Sequence, residues 1–225
     1  MSPIPPLQLV PSLLAADFAN LGNAVAQAVA AGADRLQIDV MDGHFVPNLT
    51  MGPATVSAVR RLTTLPLEAH LMVEHPERWV QPFADAGADV IIVHAEATPH
   101  LERVLDLISQ SGKRPAVALN PASPLVLIEE VLTQVTMVLL MTVNPGFGGQ
   151  QFIPEVLPKI RRLREQLQTL NLQHDIEVDG GIDTATIGRA AAAGANVFVA
   201  GSSVYGAKGG VHAGLDRLRI ALTAK

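Results

Sequence analysis

Ala30–Val40 reads AAGADRLQIDV, and the same joint returns as DAGADVIIVHA at Asp85–Ala95 and as AAGANVFVAGS at Ala192–Ser202. Each places an Ala-rich helical end before a glycine, then a polar residue, then an apolar strand. Gly32, Gly87 and Gly194 suit the left-handed conformation that ends a helix. Further strands are predicted at LQLVPS (Leu7–Ser12), LPLEAHLMV (Leu65–Val73), RPAVALN (Arg114–Asn120), MVLLMTV (Met137–Val143) and DIEVDGG (Asp175–Gly181). Helical stretches follow them, opened by Pro76, Pro124 and Pro154 or by the capping oxygens of Asp183, Thr184 and Thr186. Eight strand–helix units in 225 residues predict a single-domain α/β protein, a (β/α)₈ TIM barrel over residues 1–225, since that fold needs roughly 200 to 250 residues. An open doubly wound sheet is second: it wants a GxGxxG turn after its first strand, and PSLLAADFAN has none.

The composition narrows the function. The chain is 48% hydrophobic and 16% charged, with a net charge of −5, and no basic cluster longer than two residues appears, so nucleic acid is not an expected partner. With no cysteine, disulfides, cysteine nucleophiles and Cys-zinc sites are excluded, and a metal would need His, carboxylate or amide ligands. No apolar run reaches the roughly 18 residues that span a bilayer, and MSPIPPLQ lacks the basic start and apolar core of a signal peptide. A cytoplasmic protein with no membrane partner is expected.

In a parallel barrel both faces of each strand are buried and should be apolar. Within LQIDVM, however, Gln37 and Asp39 share a face, because alternate residues of a strand point the same way. A buried carboxylate costs several kcal/mol unless cations or hydrogen-bond donors compensate it. Other polar residues also gather at C-terminal strand ends: Ser12, His70, His94, Asn120, Thr142, Asn144 and Asp179. Barrel enzymes keep their active sites at that end. Taken singly, His94 or Asn120 also fits a satisfied structural group; Asp39, His70 and Asp179 together point to a site. Glycine gives the second signal. NPGFGGQQFIPE (Asn144–Glu155), DGGID (Asp179–Asp183) and AGSSVYG (Ala200–Gly206) follow strands six, seven and eight. In this fold such turns present backbone N–H groups to a phosphate, so a small phosphorylated substrate is expected.

QIDVMDGHFVPNLTMGP, LEAHLMV, MTVNPGFGGQQFIPE, EVDGG and VAGSS resemble, in order and spacing, the ribulose-phosphate 3-epimerase family across nearly the whole chain. The resemblance implies an isomerase of carbohydrate metabolism, in the pentose phosphate pathway, that interconverts D-ribulose 5-phosphate and D-xylulose 5-phosphate at C3. It makes Asp39 and Asp179 the acid/base pair and, with His70, ligands of one divalent metal ion (Zn, Mn, Fe or Mg). It makes Ser12 and His70 substrate contacts, Gly146, Phe147, Gly148 and Gly149 a mobile loop over the substrate, and Gly180, Gly181, Gly201 and Ser202 the phosphate site. Met41, Met72 and Met141 match family methionines near the substrate, and equally fit core filling. The chemistry agrees: inverting a carbon beside a carbonyl takes a base on one face and an acid on the other, and a metal stabilises the enediolate between. A homo-oligomer is expected.

One position departs from the pattern. The family has histidine where this chain has Gln37, as one of four metal ligands. An amide oxygen there suits Mn²⁺ or Mg²⁺ better than Zn²⁺, with Glu68 and Glu177 expected to accept from its NH₂ and aim the oxygen at the metal. Asp42, beyond the strand end, is expected to shape the following loop. Alternative readings are a related epimerase, such as one for D-allulose 6-phosphate, a lyase of the same fold, a barrel that works without metal, and a catalytically silent sugar-phosphate binding barrel. A lyase would want a lysine where Met41 stands.

Overall fold

A computed structural model describes residues 5–223, so the first four residues of MSPIPPLQ lie outside it. Eight parallel strands run in the order β1-β8-β7-β6-β5-β4-β3-β2. They are β1 (Gln8–Pro11), β2 (Leu36–Met41), β3 (Leu67–Met72), β4 (Val90–His94), β5 (Arg114–Leu119), β6 (Met137–Met141), β7 (Asp175–Asp179) and β8 (Val197–Ala200). The sheet rolls into a barrel. Its seam lies between β1 and β2, where a bridge from Ser12 to Gln37 and the Asp34 N–H donating to the Leu9 carbonyl at 3.1 Å join the edges. The predicted barrel is the observed one.

Among the described residues eight α-helices follow these strands, two of them after β8 and none after β5: α1 (Leu21–Ala30), α2 (Pro53–Arg60), α3 (Val80–Ala86), α4 (Leu101–Gln110), α5 (Leu157–Thr169), α6 (Ile187–Ala193), α7 (Ser202–Tyr205) and α8 (Gly210–Thr223). Gly32, Gly87 and Gly194 all take positive φ (73°, 101° and 115°), as the repeated joint requires. A Cβ on Gly87 would stand 2.8 Å from the Arg60 side chain, so the joint is sterically closed to larger residues. One connection differs from expectation. Pro124 precedes two 3₁₀ segments, Leu125–Leu127 and Glu129–Gln134, and no α-helix links β5 to β6. Ile128 and Val131, three residues apart, bury their side chains, and three residues per turn is the 3₁₀ repeat.

The largest apolar cluster fills the space between strands and helices and includes Ile38, Leu71, Ile91, Leu163 and Phe198. Inside the barrel, Ile92, Ala116, Ala118, Leu139 and Met141 make one apolar wall, and Val10, Val197 and Val199 make another. Polar side chains enter the interior from β2, β3 and β7 instead: Gln37, Asp39, Glu68, His70 and Glu177, with Arg35 just before β2, are all buried. The strand repeat of two stacks Arg35, Gln37 and Asp39 along β2, from the barrel floor to its C-terminal mouth. Among the described residues, no helix is long and apolar enough to cross a membrane.

Candidate active site

The polar stack ends at the mouth in a group of converging side chains. Asp39 from β2 accepts from the Ser12 hydroxyl on Oδ2 at 2.5 Å and from Gln37 Nε2 on Oδ1 at 2.7 Å. The same Gln37 nitrogen donates to Asp179 Oδ2 at 2.8 Å, tying β2 to β7. His70 from β3 sets Nδ1 3.0 Å from Asp39 Oδ1 and 3.7 Å from Asp179 Oδ2. Paired register explains the meeting of Asp39 with His70, which are Cα partners across β2 and β3. Asp39, His70 and Asp179 each offer one ligand atom, all within 4.8 Å of one another. The structure thus brings together Ser12, Gln37, Asp39, His70 and Asp179.

This corner carries more negative charge than its neighbours balance. Burial, followed by the nearby Asp39 carboxylate, raises Asp179 to about 7, against the opposing pull of His70 and the Gln37 hydrogen bond. Two carboxylates and an imidazole around one point fit a divalent cation, whose charge would hold both carboxyls ionised. The Gln37 amide, however, is turned the other way from the sequence expectation. Its NH₂ lies between the two carboxylates, and its Oε1 is buried with no hydrogen-bond partner. Nor do Glu68 and Glu177 accept from that NH₂. Glu68 instead accepts from Arg35 at 2.8 Å, and both oxygens of Glu177 are buried without a donor. The physical reason is local: two carboxylates that face each other attract the amide donor more strongly than a carboxylate already neutralised by a guanidinium. Burial and the adjacent Glu68 push Glu177 well above the ordinary carboxylate range.

Beyond this corner, a pocket opens over the barrel mouth, lined by Ser12, Asp39, Asp179, Gly146, Phe147, Gly148, Gly149, Gly180, Gly181, Gly201 and Ser202. The eight loop residues expected to form the lid and the phosphate site, Gly146–Gly149, Gly180, Gly181, Gly201 and Ser202, therefore border the same space, whereas Asn120 and Asn144 do not line it. Met41, Met72 and Met141 line it too while each is at least 95% buried, so they serve both as core and as wall. No lysine or arginine is among the lining residues. The cradle is backbone: helix α7 opens at Ser202, leaving its first N–H groups without partners inside the helix, and Gly180 and Gly181 take positive φ (117° and 64°). A Cβ on Gly181 would run into the backbone of Phe152. The loop carrying Phe147 is pinned at two points, where Asn48 donates to the Gly146 carbonyl at 2.8 Å and Gln150 to the Phe147 carbonyl at 2.9 Å. Asp42 lies off the site, as expected: it accepts from the N–H groups of His44, Phe45 and Glu74 and shapes the loop after β2.

Sequence comparison decides the family. A profile of the ribulose-phosphate 3-epimerase family matches residues 8–205. The chain belongs to the ribulose-phosphate 3-epimerase family. A ribulose-phosphate 3-epimerase of Bacillus subtilis is 52% identical over 201 residues, 89% of this chain and 93% of its own. That of Escherichia coli K12 is 47% identical over 198 residues, 88% of each chain. Solved structures that resemble the fold include the KGPDC of Streptococcus mutans, at a TM-score of 0.70 and 18% identity over 96% of this chain and 99% of its own. A 3-hexulose-6-phosphate synthase follows at 0.69 and 22% identity, over 96% of this chain and 100% of its own. These two share the barrel architecture with this chain.

Within this ribulose-phosphate 3-epimerase site, sequence reading gave His94 no role of its own and missed Glu96 altogether. His94, fully buried at the end of β4, places Nε2 2.9 Å from His70 Nε2 and Nδ1 3.3 Å from Glu96 Oε2. Glu96 also accepts from the Asn120 N–H at 2.8 Å and from the Ser123 hydroxyl. Burial lowers His94 to about 4, against the opposing hydrogen bond to Glu96. Burial alone would raise Glu96, but the hydrogen bonds from His94, Ser123 and Asn120 outweigh it and hold the carboxyl near 2. The signal was present as H-x-E at a strand end, yet a strand followed by a turn does not say which way the glutamate will bend.

Proposed function

We propose that this chain epimerises a ketose phosphate at C3, with D-ribulose 5-phosphate and D-xylulose 5-phosphate as the pair, by proton transfer between two carboxylates. The observation that supports it most directly is the convergence of Asp39 and Asp179, from strands on either side of the seam, beside a backbone cradle free of lysine and arginine. Seated with its phosphate against Gly180, Gly181, Gly201 and Ser202, the sugar presents C3 between the carboxylates. One carboxylate removes the C3 proton and the other returns a proton to the opposite face; running the reaction backwards exchanges their roles. Ser12 and Gln37 hold Asp39 in place with two hydrogen bonds, so its oxygens are aimed before substrate arrives. The loop through Gly146, Phe147, Gly148 and Gly149 closes over the sugar and excludes water.

The residues fit a divalent cation, held by Asp39, His70 and Asp179; Gln37 would join them as a fourth ligand once its amide turned to bring Oε1, which has no partner, to the ion in place of the NH₂. When bound, such an ion supplies Lewis acidity to the negative charge that develops on substrate oxygen. An amide at the fourth position favours Mn²⁺ or Mg²⁺.

The test is solvent isotope exchange. Incubated with D-ribulose 5-phosphate in deuterium oxide, the enzyme should place deuterium at C3 of the xylulose product, and Asp39→Asn and Asp179→Asn should each lower turnover by about 10²- to 10⁴-fold. Product formed without label at C3 would contradict the proton-transfer reading.

A further inference from the structure

The loop over the pocket is held at its start and open at its tip. Gly146 is buried, whereas Phe147, Gly148 and Gly149 are exposed, and a Cβ on Gly148 or Gly149 would meet nothing within 4 Å. A buried carbonyl needs a donor. For Gly146 the donor comes from outside the loop, from Asn48 Nδ2 at 2.8 Å. Gln150, by contrast, belongs to the loop and donates to its own Asn144 and Phe147 carbonyls. Packing agrees with the hydrogen bond: a Cβ on Gly146 would lie 3.4 Å from Val46 and 3.6 Å from Pro47, so the backbone there already passes close to the segment that carries Asn48.

That segment is built onto the strand of Asp39. Residues 42–50 fold back on themselves, with Asp42 and Leu49 in an antiparallel bridge and the Gly43 N–H donating to the Asn48 carbonyl at 2.9 Å. Thr50 closes the root: its hydroxyl donates to the Asp39 carbonyl at 2.6 Å and accepts from the Met41 N–H at 3.0 Å. Near the tip, Val46 is buried against Met41 and Met72, which line the pocket. Asn48 is used at both ends of its amide. Oδ1 accepts from the Leu49 N–H at 2.9 Å, which leaves Nδ2 to face the loop after β6. The hairpin is therefore a short post, rooted at the carboxylate strand and touching the lid at its tip.

We propose that Asn48 is a positioning residue, a latch that holds the lid at Gly146 and so fixes where Phe147 stands above the sugar. Because the post grows from the Asp39 end of β2, the lid is set relative to the strand that carries the carboxylate as well as to its own. Motion is left to Phe147, Gly148 and Gly149, with Gly146 as the fixed end. The kinetic consequence rests on the sugar-phosphate site proposed above, while the latch itself can be read without substrate.

Limited digestion with chymotrypsin reads the latch directly, since the protease cuts after aromatic residues in segments that open locally. Phe147 and Phe18 are almost equally exposed, at 55% and 53%, so Phe18 is an internal control. Asn48→Asp keeps the size of the side chain and the Oδ1 bond to Leu49, but an ionised carboxylate cannot donate. Cleavage after Phe147 should rise about fivefold to tenfold, which is what the loss of one hydrogen bond supports, with cleavage after Phe18 unchanged. KM for D-ribulose 5-phosphate should rise by a similar factor while kcat stays within about twofold, because the lid loses preorganisation and the carboxylates stay in place. Leu49→Ala removes a side chain beside Gly43 in the same hairpin and should change neither cleavage site nor KM. Unchanged cleavage after Phe147 in the Asn48→Asp protein, an equal rise after Phe18, or the same changes with Leu49→Ala would overturn the proposal. So would a KM that stays constant or falls, a fall meaning that closure has to break the bond. Faster cleavage after Phe147 in a protein whose wild type does not turn over the sugar would refute the reaction proposed above and leave the latch standing.

Discussion

Gln37 is the residue at which this site departs from the family pattern, and an amide can face either a cation or a carboxylate pair. Its two ends differ in sign: NH₂ donates and Oε1 accepts. In the structure the donor end lies between Asp39 and Asp179, and the buried Oε1 has no partner. Substituting Gln37→His restores a nitrogen ligand at that corner. Zinc affinity of the chelator-treated protein should rise by at least about tenfold, or about 1.4 kcal/mol, while Mn²⁺ and Mg²⁺ gain less, because imidazole suits zinc better than the harder ions. Calorimetric titration with each metal measures this directly; equal gains for all three, or none, would place residue 37 outside the ion's reach. At this scale the sequence was legible where it violated burial. Asp39, His70 and Asp179 stood out because apolar strands do not carry such groups without purpose. The amide's orientation was not legible, because it depends on Arg35 already neutralising Glu68, a contact between neighbouring strands that no spacing within one strand reveals.

In the proposed function the loops after β6, β7 and β8 act as one element, a phosphate cradle made of backbone, and glycine is required there at specific positions rather than throughout. Gly181 combines φ of 64° with a neighbouring backbone that a Cβ would strike. Gly148 has no heavy atom within 4 Å of its would-be Cβ, and its φ lies outside the left-handed range. Gly181→Ala must therefore distort the turn, with a left-handed penalty of about 1 to 2 kcal/mol before Phe152 moves, and should raise KM for the phosphorylated sugar by tenfold or more. Gly148→Ala should leave KM within about twofold. Steady-state kinetics on both variants separates a cradle that binds phosphate from glycines that only turn the chain; equal effects would favour the latter. The strands and their glycine joints could be read from sequence because each repeats a local pattern. The β5–β6 connection could not, since Pro124 marks a turn start but does not say whether a 3₁₀ or an α-helix follows. The 3₁₀ outcome reflects which apolar residues reach the core.

At the scale of the whole barrel, the polar side of the interior needs a floor, and Arg35 provides it. The guanidinium, buried at the start of β2, donates to Gln8 at 2.7 Å, Glu68 at 2.8 Å and Asp175 at 2.5 Å, so one side chain joins β1, β2, β3 and β7 across the seam. The barrel itself followed from eight successive strand–helix units, but this plug did not. Arg35 reads as a loop residue before a strand, and only closure of the sheet brings Gln8 and Asp175 beside it. Removing the cation strands a buried carboxylate, which typically costs about 3 to 5 kcal/mol, whereas replacing both members of a buried pair with apolar groups is often near neutral. Arg35→Met should accordingly lower the unfolding free energy of the ion-free protein by about that amount, and Glu68→Leu in the same chain should recover at least half of the loss. The recovery has a second source, because Glu68 also raises the neighbouring Glu177 carboxyl. Urea denaturation of wild type, both single variants and the double variant closes the cycle. A double variant as unstable as the sum of the singles would mean that Arg35 and Glu68 stabilise the barrel independently, and that the floor is held through Gln8 and Asp175 instead.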